Sequence, residues 1–177
     1  MILAAGRGER MRPLTDRLPK PLLEVGGHRL IEYHLAALAK RGITDIVVNL
    51  CWLGERIRDA LGDGTRYGVA IRYSDEDGVI QGTGGGIHRA LPLLGDEPFL
   101  VVNGDVWTDF AFDRLRPPAG SLAHLVLVPN PEHHPGGDYG HDGGTRATHA
   151  QPKLTYSGVS VLDPRLFADC ETGVFPL

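Results

Sequence analysis

The sequence predicts an α/β fold built on a mainly parallel, mixed sheet with helices on both faces. Three observations predict it. Short apolar runs rich in β-branched residues alternate with stretches of helical periodicity. Glycine-marked turns separate them, and polar residues gather where the apolar runs end.

Met1 to Ala5 reads as a short buried strand. Leu30 to Gly42 carries apolar residues at Leu30, Ile31, Leu35 and Leu38, which is helical spacing, with Arg41 near the end and Gly42 as the stop. Thr44 to Leu50 is a β-branched strand, "LGERIRDALGDG" a short helix closed by a Gly-Asp-Gly turn, and Val69 to Tyr73 a further strand. "QGTGGGI" is expected as a glycine loop that opens the helix "GGIHRALPLL". Pro98 to Asp105 is an apolar strand with a polar end, and Ala123 to Val128 and Leu154 to Leu162 complete the strands. Between the last two, residues 129–152 are rich in Gly, Pro and His, a long loop expected to be mobile, as a lid is. Its His133, His134, Asp138 and His141 do not make a preorganised zinc set.

The 177 residues suit one domain, spanning 1–177. No apolar run approaches the roughly 20 residues of a membrane span, and the start lacks the pattern of a signal peptide. A cytoplasmic protein with no membrane partner is expected. Cys51 and Cys170 have no CxxC spacing, and Cys51 reads as a buried thiol. A net charge of -4 argues against a broadly basic nucleic-acid binder. Yet Arg7, Arg10, Arg12, Arg17 and Lys20 crowd the first 20 residues, a pattern that suits a small anionic ligand held at one place.

Gly6-Arg7-Gly8-Glu9-Arg10-Met11 follows the first strand. A dinucleotide fingerprint needs glycine where Met11 stands and an immediate helix where Pro13 intervenes; a Walker loop needs GK[ST], which does not occur. What remains is a backbone nest for phosphate, with arginine forks to clamp its oxygens. Lys20, between Pro19 and Pro21, is held on stiff backbone. Asn103, Gly104 and Asp105 close the most apolar strand, at the end where open α/β sheets bind ligands, and Asp suits Mg²⁺. Each feature alone has a plainer reading as a surface turn, a helix cap or a flexible loop. Together, in strand-end order, they fit a nucleoside triphosphate with Mg²⁺.

"LAAGRGERMRPLTDRLPKPLLEV" closely resembles the signature G-x-G-x-R-[LM]-x-P-L-T…P-K-P of the sugar-1-phosphate nucleotidyltransferases, and "GTGGGI" and "VVNGDVWTD" resemble that family's base loop and metal strand end. The resemblance covers essentially the whole chain. It implies the Rossmann-like nucleotide-diphospho-sugar transferase fold and transfer of a nucleotidyl group from a nucleoside triphosphate to a sugar 1-phosphate. Leu3, Ala4, Ala5, Gly6 and Gly8 would hold the nucleotide, with Gly82, Thr83 and Gly84 at the base. Arg10, Lys20 and Asp105 would be catalytic, Asp105 binding Mg²⁺. Asn103, Asp138, Tyr139, Gly140, Ser157 and Gly158 would take the sugar.

"LIEYHLAAL", "VNGDVWTDF", "HLVLVPNPEHH" and "LTYSGVSVL" resemble the branch that joins UTP to N-acetylmuramate 1-phosphate in cell-wall sugar recycling more than guanylyl- or thymidylyltransferases; a mannose-1-phosphate guanylyltransferase or a glucose-1-phosphate thymidylyl- or uridylyltransferase stands as the alternative. The family's second metal-binding Asp, from a D-x-G-type segment, is not met before Leu177: either the polypeptide is a fragment, or its ordered part stops short, or the site is incomplete, and a non-catalytic nucleotide-binding domain stands as a reading of another class. Glu9, an acid within the phosphate nest, is expected to point away from it or to pair with an arginine. The oligomeric state is not legible.

Overall fold

The computed structural model describes residues 1–143 and 147–177. Its elements, in chain order, are β1 (Ile2–Leu3), β2 (Glu24–Val25), β3 (His28–Arg29), α1 (Leu30–Ala39), β4 (Asp45–Leu50), α2 (Gly54–Leu61), β5 (Ala70–Asp75), α3 (Gly82–Leu94), β6 (Phe99–Asn103), β7 (Ala123–Val128), β8 (Tyr139–His141), β9 (Ala147–Thr148) and β10 (Lys153–Leu162). Among the described residues the main sheet has eight strands in the order β5-β4-β1-β6-β10-β8-β9, with β7 also paired to β10. It is parallel through β5, β4, β1 and β6 and antiparallel beyond.

The period-2 alternation of strand side chains sends residues to two separate cores. Ile2, Ile46, Val48, Leu50 and Val102 pack with α1 and α2 through Ile31, Leu35, Ile57 and Leu61. Val47, Phe99, Val101 and Leu162 face the other way, against Ile87 and Ala90 of α3. Helices therefore cover both faces, and the central strands read as near-continuous apolar runs. No helix is long and apolar enough to cross a membrane.

Two expectations change. The glycines of "GTGGG" are not a free loop: they form the first turns of α3. Glycine is a poor helix former, but here backbone must approach closely. A Cβ at Gly84 would lie 2.5 Å from the Phe175 ring and from the Pro176 carbonyl, and one at Gly86 would lie 2.5 Å from Glu76 Oε1. The Phe175 carbonyl accepts from the amides of Gly84 (3.1 Å) and Gly85 (3.2 Å), satisfying first-turn donors that a helix leaves open.

The described part of residues 129–152 is likewise not structureless. The segment contributes β8, paired to the start of β10 (Gly140 opposite Lys153, Tyr139 opposite Leu154), and β9, paired to β8. Asn130 ties its base, donating to the carbonyls of Pro135 (3.0 Å) and Lys153 (2.9 Å).

The connections set the site. β1 leads through α1 to β4 on one side, β4 leads through α2 to β5, and α3 then carries the chain back across to β6 on the other side of β1. The order reverses at β1, and the crevice beyond the carboxyl ends of β1 and β6 is where such sheets bind ligands.

Candidate functional site

At that crevice Leu3 stands in register between Asn49 of β4 and Asn103 of β6. Three strand ends, two of them carrying asparagines, thus converge on one cleft of about 230 Å³. Leu3, Ala4, Ala5, Gly6 and Gly8 line one side, Gly82 and Thr83 the far side, and Lys20, Asn103 and Asp105 the mouth. Ten of the residues singled out in the sequence are brought together here.

The first loop is built from within. Gly8 takes a left-handed φ of +66°, and a Cβ there would meet Thr15 Cγ2 at 3.0 Å and Lys20 Cβ at 3.3 Å. Thr15, fully buried, donates its hydroxyl to the Gly8 carbonyl (2.9 Å), while Trp52 Nε1 donates to the Thr15 carbonyl (2.9 Å). Arg7 lies over the Trp52 ring, 4.5 Å from its centroid, and its Nε is buried with no hydrogen-bond partner among the described residues. Arg10 is exposed on the turn that follows and is not part of the cleft lining. Glu9 is exposed and lines no part of the cleft, in keeping with the first of its two expected outcomes.

Lys20 and Asp105 face each other, Nζ to Oδ2 2.8 Å, both partly exposed. The turn that carries Asp105 is fixed from behind by His34 of α1, which is buried and lies with Nε2 2.6 Å from the Val106 carbonyl. Burial holds the His34 imidazole below its ordinary value, partly opposed by its hydrogen bonds to the carbonyls of Val106 and Asn103 and by Asp105. The neutral ring with its proton on Nε2 donates to Val106.

On the sugar side the residues separate. Gly158, at a φ of +82° where the β10 register shifts against β7, packs on Asn103, a Cβ there lying 2.9 Å from Asn103 Nδ2. Ser157 is next to it and accepts from the Val159 amide at 3.3 Å. Asp138, Tyr139 and Gly140 lie farther along β10 and do not line the cleft. Both Asp138 oxygens are engaged within the fold, one by His134 (3.0 Å) and one by the Tyr156 amide (2.8 Å), so this carboxylate holds the segment together. Gly84 needs the same correction: it is buried under Phe175, its amide is taken, and only Gly82 and Thr83 reach the cleft.

Asn49, Glu76, Pro21 and Ile80 also line the cleft and were not singled out in the sequence. Asn49 is the one polar residue within the apolar run "IVVNL", and Glu76 directly follows β5; polar residues at the carboxyl ends of strands were the available signal.

A larger cavity, about 650 Å³, lies between Met1, Asp45, Leu100 and Phe112 at the opposite ends of the strands. Four of the charged side chains on its rim are paired with each other, Arg41 with Asp113 (2.8 Å) and Arg72 with Asp45 (2.9 Å), and it has no glycine-lined wall.

The donor set at the mouth fits Mg²⁺. Asp105 is a partly exposed carboxylate paired with Lys20, and Mg²⁺ is commonly held by one or two carboxylates together with substrate phosphates and water. Glu76 is not available for it, since both its oxygens already accept.

Residues 1–141 match the family model described as nucleotidyl transferase. The chain is 54% identical to an N-acetylmuramate alpha-1-phosphate uridylyltransferase of Neisseria meningitidis, covering 98% of this chain and 78% of that protein. It is 35% identical to the protein of the same name from Caulobacter vibrioides, covering 100% of this chain and 80% of that one. In three dimensions it superimposes on HddC from Yersinia pseudotuberculosis, solved with GMP-PN, with a TM-score of 0.81 at 21% identity over 99% of this chain and 80% of that one, a likeness of fold. With the strand-end cleft, the glycine nest and these likenesses in hand, the chain belongs to the nucleotidyl transferase family and has the nucleotide-diphospho-sugar transferase fold.

Proposed function

We propose that this chain transfers the uridylyl group of UTP to N-acetylmuramate 1-phosphate, releasing pyrophosphate, in cell-wall sugar recycling. The observation that carries the reading is the convergence of Lys20 and Asp105 beside a glycine-lined wall at the β1/β6 crevice. The choice of UTP and of this sugar is supported by the likeness to the two uridylyltransferases.

A phosphate oxygen of the sugar 1-phosphate attacks the α-phosphorus in line, and the bond to pyrophosphate breaks. The nucleophile is already an anion, so no general base is required. The protein's task is to bring two polyanions together and align them. The backbone of Leu3 to Gly8 cradles the phosphates, Gly82 and Thr83 face the base, and Asn103, Ser157 and Gly158 face the sugar. Lys20 and Arg10 oppose the charge that develops on the phosphates. Asp105 would hold Mg²⁺, which would supply further positive charge at the same place. Asp138, Tyr139 and Gly140 contribute by shaping the β8–β10 extension beside the sugar side.

A cytoplasmic setting is supported by Cys51 and Cys170, both free thiols. A panel assay of pyrophosphate release, four nucleotides against several sugar 1-phosphates, tests the reading. UTP with N-acetylmuramate 1-phosphate is expected to give the highest kcat/KM. A preference for GTP with mannose 1-phosphate, or for dTTP with glucose 1-phosphate, would replace it with the corresponding sister activity.

A further inference from the structure

We infer that Asn49 and Glu76 form a positioning pair that fixes the spacing between the two loops holding the nucleotide. The inference rests on the proposed nucleotide site and assigns these two residues a part in it. Both side chains are buried, Asn49 3% and Glu76 1% exposed, yet both line the floor of the cleft.

They form a continuous chain of hydrogen bonds across that floor. The Ala4 amide, in the first loop, donates to Asn49 Oδ1 at 2.8 Å. Asn49 Nδ2 donates to Glu76 Oε1 at 2.7 Å. Glu76 Oε2 accepts from the amide of Gln81, at the start of the second loop, at 2.8 Å. Strands β1 and β4 and the residues after β5 are thereby tied to the first turn of α3.

The polarity of this chain is set at both ends. Backbone amides only donate, so Asn49 must turn its oxygen to Ala4 and its amino group to Glu76. Glu76 then meets a donor at each oxygen. A carboxylate satisfies both; an amide at position 76 presents an acceptor to one and a donor to the other. Gly86 admits the pair, since a Cβ there would lie 2.5 Å from Glu76 Oε1 and 3.0 Å from Asn49 Nδ2.

This polarity can be inverted. Glu76→Gln alone sets donor against donor. Asn49→Asp alone sets two carboxylates together at hydrogen-bond distance. In the double variant, the aspartate at position 49 accepts from Ala4 with one oxygen and from the new amide with the other. The amide's own oxygen is then free for Gln81.

The test is a double-substitution cycle read by steady-state kinetics, UTP calorimetry and thermal melting. Each single variant is expected to raise KM for UTP about tenfold, the effect of one buried mismatched hydrogen bond, with kcat changed less. The double variant is expected to return to within about threefold of wild type, on the same basis. A single variant that fails to fold, with the double variant folded, supports the same polarity. Glu76→Gln within twofold of wild type overturns the inference, as does a double variant no better than the worse single in KM or in folding. A wild-type protein with no calorimetric affinity for UTP or any other nucleotide would instead overturn the functional reading beneath it.

Discussion

Lys20 Nζ lies 2.8 Å from Asp105 Oδ2, joining residues 85 apart in sequence across the mouth of one cleft. Neither is buried, so their ion pair adds little to stability and its value is in placement. Lys20→Ala and Asp105→Asn are each expected to lower kcat about 10²-fold, as for loss of an electrostatic stabiliser, while the melting midpoint barely moves. Pyrophosphate release and calorimetric melting on the same samples check this; full activity in either variant would remove that residue from the chemistry.

Arg10 is exposed and outside the cleft lining, so its proposed role requires the side chain to turn toward the bound triphosphate. Arg10→Ala should lower turnover roughly 10²-fold without loss of stability. A rate within twofold of wild type would assign the exposed arginine to the surface.

His34 predicts a pH dependence of stability. Its folded value lies below the ordinary 6.5, so the unfolded chain takes up the proton first as pH falls. The stability this residue contributes is fully present above about pH 6.5, its ordinary value, and is lost as pH falls toward the folded value. His34→Gln, which can keep a donor to Val106, should flatten the fall in melting midpoint between pH 7 and 5, and His34→Leu should lower the midpoint at every pH. Parallel slopes in wild type and His34→Gln would show that this imidazole does not set the dependence.

Gly158 holds a left-handed backbone and touches Asn103. Gly158→Ala is expected to cost about 1–2 kcal/mol of backbone strain and to push Asn103 aside. KM for the sugar 1-phosphate should then rise more than KM for UTP, measured by varying each substrate in turn. An equal effect on both would place Asn103 on the nucleotide instead.

Much of this site was readable from the chain because its chemistry is local. Leu3 to Gly8 follow a strand, Lys20 sits between two prolines, and Asp105 ends an apolar run; each announces itself within a few residues. Asn49 and Glu76 do not, because their significance comes from hydrogen bonds to Ala4 and Gln81 that only the parallel register creates. The helical start at Gly82 was unreadable for a similar reason. Glycine-rich sequence favours a loop, and the turn forms where Phe175, far along the chain, supplies an acceptor. Tyr139 to His141 lack strand composition and become β8 because β10 offers an edge. Asp138 is a different case: the family resemblance of "GDYG" points it to the sugar, and within the fold both its oxygens are engaged, by His134 and by the Tyr156 amide.

The β1/β6 cleft is proposed to join a uridylyl group to a sugar 1-phosphate. Mass analysis of the products formed from UTP and N-acetylmuramate 1-phosphate with Mg²⁺ tests it most directly. The account predicts stoichiometric UDP-N-acetylmuramate and pyrophosphate, abolished on the same timescale by Asp105→Asn. UTP that binds and is recovered intact, with no nucleotide sugar formed from this or any other sugar 1-phosphate, would contradict it.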